Sequence, residues 1–90
     1  MLAARRFLVS GRVQGVGFRY FTVEAASLEG LSGWVRNLPG GEVEVLAEGD
    51  RESLDRFALK LARGHALSRV DEIRTSEETP HGRGGGFTVK

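Results

Sequence analysis

The stretch Gly11-Arg12-Val13-Gln14-Gly15-Val16-Gly17-Phe18-Arg19 holds the residue types in this chain that come closest to a reaction. Glycines between a strand and a helix let several main-chain N–H groups face one concavity, and the helix start behind them adds about half a positive charge. Arg19 stands at the junction, where a planar guanidinium can give an anion two parallel charge-assisted hydrogen bonds. A phosphoryl group with its equatorial oxygens suits such a nest. The same glycines also serve a plain tight turn with Arg19 left in solvent, and spacing alone leaves both readings open. Two nucleotide motifs fail on spacing. No Gly-Lys pair follows as a Walker A loop requires, and Tyr20 stands where the dinucleotide fingerprint has its third glycine. Asn37, ahead of Leu38-Pro39-Gly40, reads on its own as a turn residue.

Composition narrows the remaining chemistry. With no cysteine there is no disulfide, thiolate nucleophile or cysteine-ligated metal centre, and His65 and His81 are too far apart in sequence to suggest a metal site. Both histidines fall in expected loops and read as bystanders. A net charge of +1 argues against a general appetite for nucleic acid, although Arg5, Arg6, Arg12 and Arg19 make the acid-free first 23 residues locally positive. Gly11, Gly15 and Gly17 would spoil a transit-peptide helix, and Arg5-Arg6 precedes no apolar export region. Ninety residues, 40% hydrophobic and 28% charged, point to one folded domain over 1–90, in the cytoplasm, with no membrane span and acting as a monomer.

The elements that must position the loop follow from periodicity. Phe7, Val9 and Val13 share one parity in a strand over Arg6 to Val13, and the glycine loop then opens a helix whose apolar spacing is Phe21, Ala25, Leu28, ended by Gly30. Gly33 to Asn37 and Val43 to Glu48 read as a hairpin around Pro39-Gly40-Gly41, the second strand alternating with Glu44 and Glu48 outward. Asp50 caps a second helix with Leu54, Phe57, Ala58 and Leu61 at i, i+3, i+4, i+7, and Gly64 stops it. Val70 to Thr75 is strand-like, but Val70 and Ile73 have opposite parity, which marks a bulge or a misplaced boundary. A Gly-rich turn leads to a last strand with Phe87 and Val89. The order β-α-β-β-α-β is that of a ferredoxin-like α+β sandwich, a mostly antiparallel four- to five-stranded sheet with two helices on one face. Fold alone does not assign function.

Val-Ser-Gly-Arg-Val-Gln-Gly-Val-Gly-Phe-Arg, residues 9 to 19, followed by Gly-Trp-Val-Arg-Asn, residues 33 to 37, closely resembles the acylphosphatase family, and the resemblance runs through the terminal Gly-Phe-Thr-Val. It implies a metal-free, cofactor-free hydrolase of acyl phosphates. In that family pattern the loop Gln14, Gly15, Val16, Gly17, Phe18 cradles phosphate, Arg19 binds it, and Asn37 positions the attacking water. Inorganic phosphate is then product and inhibitor. Glu29 departs from the pattern, standing where an apolar residue is frequent, as do Gly40-Gly41 and Gly64-His65; none touches the implied site.

The chemistry suits so sparse a site. A carboxylate leaving group with a pKa near 4 departs as an anion and needs no general acid. A loose phosphoryl-transfer transition state asks for a water that is placed more than one that is deprotonated, and a carboxamide carbonyl can place it. Phe18 is expected to anchor the loop in the core; Trp34 reads as packing, and Arg12 and Arg36 as surface charges. Alternative readings are a carbamoyl-phosphate phosphatase and a non-catalytic anion- or RNA-binding module. Arg83-Gly84-Gly85-Gly86-Phe87-Thr88-Val89 superficially resembles the aromatic motif of RRM domains, but that motif belongs on the third strand, where this chain has Val43 and Val45.

Overall fold

In a computed structural model, the chain is described at residues 1–82 and 84–90; Arg83, the first residue of the RRM-like run, lies outside the described residues. The elements are β1 (Leu2–Arg12), α1 (Phe18–Leu28), β2 (Ser32–Asn37), β3 (Val43–Asp50), α2 (Arg51–Arg63), β4 (Arg69–Glu78) and β5 (Phe87–Val89). They build a five-stranded sheet in the order β4-β1-β3-β2-β5. All pairings are antiparallel except β2 with β5, so the sheet is mixed and the ferredoxin-like α+β assignment holds.

β1 starts four residues earlier than its apolar alternation suggests. Ala3, Arg5, Phe7 and Val9 share the inward parity, and Arg5 interrupts the apolar pattern at a position facing the helices. Its guanidinium is held there by Asp55 of α2 at 2.8 Å and Glu77 of β4 at 3.2 Å. The parity conflict in β4 is a bulge: Ser10 pairs with Glu72 and Gly11 with Val70, leaving Asp71 as the extra residue. That one insertion returns Val70 and Ile73 to the same side, where both pack against the core.

The helix-bearing face supplies Phe7, Val9, Val35, Val43, Val45 and Ala47 to the core, covered by Phe18, Ala25 and Ala26 from α1 and by Leu54, Phe57 and Leu61 from α2. Phe57 meets Phe7 edge-on at 5.7 Å and Phe87 at 6.1 Å. α1 turns a different stripe inward than the expected one: Leu28 is exposed, and Thr22 is buried with its hydroxyl donating to the Phe18 carbonyl at 2.8 Å. Glu29, at the C-cap of α1, accepts from Arg56 and pairs with Lys60, both of α2, which ties the helices together at their surface.

Glu44 and Glu48 correct the reading of β3 as a strand with one wet face, because both are buried. Glu44 is clamped between Arg6 of β1 and Arg36 of β2. Glu48 lies under the segment leading from β4 to β5, where its carboxylate accepts from the His81 amide at 2.7 Å.

Candidate active site

The sheet register decides which loops meet. Val9 of β1 stands opposite Val43 of β3, and Val43 opposite Asn37 of β2. The end of β1 that runs into the glycine loop and the end of β2 that carries Asn37 therefore lie at the same rim of the sheet. Alternation puts Asn37 on the face of Val35, toward the helices, and sends Arg36 to the other face.

Gly15 and Gly17 take φ of 74° and 81°, the left-handed region that glycine enters without a Cβ penalty. Gly17 is also the N-cap of α1, and no side chain caps that helix. The amides of Gly15, Val16, Gly17, Phe18, Arg19 and Tyr20 find no acceptor among the described residues; the first intrahelical bond runs from the Phe21 amide to the Gly17 carbonyl. Such a run of amides at a helix start, with no acidic side chain in the first turn, is an anion-receiving surface. Phe18 is buried, as expected, and Val16 leans on the core, so the loop is pinned on both sides of Gly17.

Arg19 is half-buried and forms no ion pair with any described residue, unlike Arg5, Arg6, Arg36 and Arg56. Arg12 is exposed. Arg36 is spent on Glu44 at 2.6 Å and stacks over Trp34, which also carries Lys90 at 4.4 Å from its ring centre. Trp34 is thus half-buried between two cations on the helix-free face, away from the Asn37 face.

Asn37 Oδ1 is buried and accepts no hydrogen bond among the described residues. A buried acceptor left unmade costs about 1–3 kcal/mol, so such an atom marks a place meant for a donor. Gln14 presents another feature that spacing did not reveal. Its side-chain amide donates to the carbonyls of Leu38 at 2.7 Å and Glu42 at 2.8 Å, so the carboxamide serves the β2–β3 turn, and its main-chain N–H is what it can offer an anion. His65 is more than a loop bystander in packing terms: its ring lies 5.3 Å from Phe21 and 6.2 Å from Phe18. Among the described residues no group of three or more His, Cys, Asp or Glu could hold a metal ion, and no helix is long and apolar enough to cross a membrane.

The class these features define is a ferredoxin-like α+β domain whose glycine loop, followed by a half-buried arginine, starts at the sheet rim that also carries a carboxamide with an unpartnered oxygen. The acylphosphatase family model matches residues 5–89. The chain is 51% identical over 76 residues to an acylphosphatase of Koribacter versatilis, covering 84% of this chain and 69% of that one. It is 47% identical over 87 residues to an acylphosphatase of Rhizorhabdus wittichii, covering 97% and 87% respectively. The crystal structure of acylphosphatase from Bacillus subtilis superposes with a TM-score of 0.93 at 40% identity, over 100% of this chain and 99% of the other. The chain belongs to the acylphosphatase family of hydrolases.

Proposed function

We propose that residues 1–90 act as one acylphosphatase domain in which Arg19 and the amides of Gln14, Gly15, Val16, Gly17 and Phe18 hold the phosphoryl group of an acyl phosphate while Asn37 places the water. The water oxygen attacks phosphorus in line, the bond from phosphorus to the acyl oxygen breaks, and its electron pair leaves with the carboxylate. The protons of the water pass to the phosphate product and solvent. Fixed amides and one guanidinium meet the charge on the equatorial oxygens; losing a single donor of this kind costs roughly 3 kcal/mol. The leaving carboxylate needs no acid, and an amide carbonyl orients the nucleophile without deprotonating it. No step calls on a metal.

The observation that supports this reading is the buried, unpartnered Oδ1 of Asn37, at the rim of the sheet where β1 runs into the glycine loop. Steady-state hydrolysis of benzoyl phosphate in excess EDTA tests it. Wild type keeps its full rate under EDTA. Asn37→Ala loses turnover but retains phosphate inhibition, because the amides and Arg19 remain; Arg19→Ala loses both. Turnover by Asn37→Ala near the wild-type rate would remove the water-placing role, and a rate that EDTA abolishes would demand a metal.

A further inference from the structure

We propose that Gln14 is a positioning residue whose side-chain amide fixes Asn37 relative to the phosphate loop. This rests on the reading of Asn37 as the group that places water.

Asn37 is the last residue of β2, and Val43 opens β3, so Asn37 is held by the sheet on one side and by the turn through Glu42 on the other. That turn closes on itself through the Leu38 amide to the Glu42 carbonyl at 2.8 Å and the Gly41 amide to the Leu38 carbonyl at 3.1 Å. The two carbonyls that close it, Leu38 and Glu42, are the two that Gln14 Nε2 reaches, at 2.7 and 2.8 Å. Leu38 is the residue next to Asn37. Gln14 is the residue next to Gly15, the first glycine of the loop. One carboxamide therefore spans the two halves of the site, with each of its N–H groups placed on the other half's backbone.

Its chemistry suits this task. Only Gln or Asn brings two divergent N–H donors on one nitrogen of a neutral planar group, and the half-buried setting makes both bonds stronger than they would be in water. In a carboxylate of the same shape, an acceptor oxygen would replace Nε2 and face both carbonyl oxygens. Placing a nucleophile is sensitive to small displacements, with about 1 Å of misplacement enough to cost roughly 100-fold in rate. The anion nest depends on the loop's own φ angles and on α1, so it does not need this tie.

The test compares Gln14→Ala and Gln14→Glu with wild type, each alone and combined with Asn37→Ala. It reads kcat, phosphate inhibition and thermal unfolding with and without phosphate. The expected result for each single variant is a kcat lowered by roughly 10- to 100-fold with phosphate inhibition changed by less than about threefold. Read on the residual rate that Asn37→Ala retains, the same substitutions cause no further loss in that background, because Gln14 acts through that residue. An unchanged kcat overturns the proposal, as does parallel loss of kcat and phosphate inhibition, or a loss that persists in full without Asn37. If Gln14→Ala does not fold, Gln14→Glu carries the comparison; failure of both to fold assigns Gln14 to stability and overturns the positioning role. Undiminished turnover by Asn37→Ala alone is a separate result and strikes at the proposed function instead.

Discussion

At Gly15 and Gly17 nothing lies within 4 Å of where a Cβ would stand, so a side chain there meets strain and no clash. Holding a branched residue in the left-handed region costs on the order of 1–2 kcal/mol, while Asn tolerates it better. Gly17→Val is therefore expected to relax the loop and lose the rise in melting temperature that phosphate gives, whereas Gly17→Asn keeps most of that rise. A full phosphate response from Gly17→Val would show that the amides do not need this backbone shape. The loop was legible in sequence because glycine frequency and order report positive φ directly. Asn37 was legible only in company: alone before Leu38-Pro39-Gly40 it is indistinguishable from a turn residue. The Gln14 bridge was not legible at all, since a contact between residues 14 and 38 depends on the pairing of three strands.

Among the elements, the helix-free face of the sheet holds a buried carboxylate, Glu44, whose protonation bears on folding. Burial pushes the Glu44 carboxyl upward, but hydrogen bonds and charge from Arg36 and Arg6 outweigh it and hold the group below its ordinary value of 4.5. A carboxyl depressed in the folded state stabilises fully above its unfolded value and loses that contribution as pH falls through the folded one. The wild type is thus expected to weaken below about pH 4.5, and Glu44→Gln to lose a flatter share of stability there. At neutral pH the variant is less stable by roughly 1.5 kcal/mol or less, because both arginines stay partly wet. Urea unfolding at pH 7 and pH 3.5 reads the difference; identical slopes with pH in the two proteins would contradict it. β3 looked half-wet in sequence because alternating glutamates usually face solvent. Its neighbours on both sides supply arginines, and a later segment covers Glu48, facts that no local pattern carries. The β4 bulge, in contrast, showed itself locally as the opposite parity of Val70 and Ile73.

For the molecule as a whole, the ferredoxin-like order was readable from the alternation of periods, but the central role of Phe57 needed the structure. Its ring touches β1 through Phe7 and β5 through Phe87, so it joins α2 to both early and late parts of the chain. Phe57→Ala is expected to cost about 3–5 kcal/mol, which in a domain this small lowers the melting temperature by more than roughly 12 °C. A cost under about 1 kcal/mol, measured by calorimetry, would mean that α2, β1 and β5 are joined elsewhere. Core packing and the proposed phosphate loop meet at Phe18, whose buried side chain anchors the run of amides that find no acceptor among the described residues. The most direct measurement of that arrangement is a crystal of the wild-type protein soaked in phosphate at neutral pH. The expected density is an anion within hydrogen-bond distance of the Gly15 to Arg19 amides and the Arg19 guanidinium, with a water between it and Asn37 Oδ1. An anion bound at another surface while the loop amides remain without one would contradict the account.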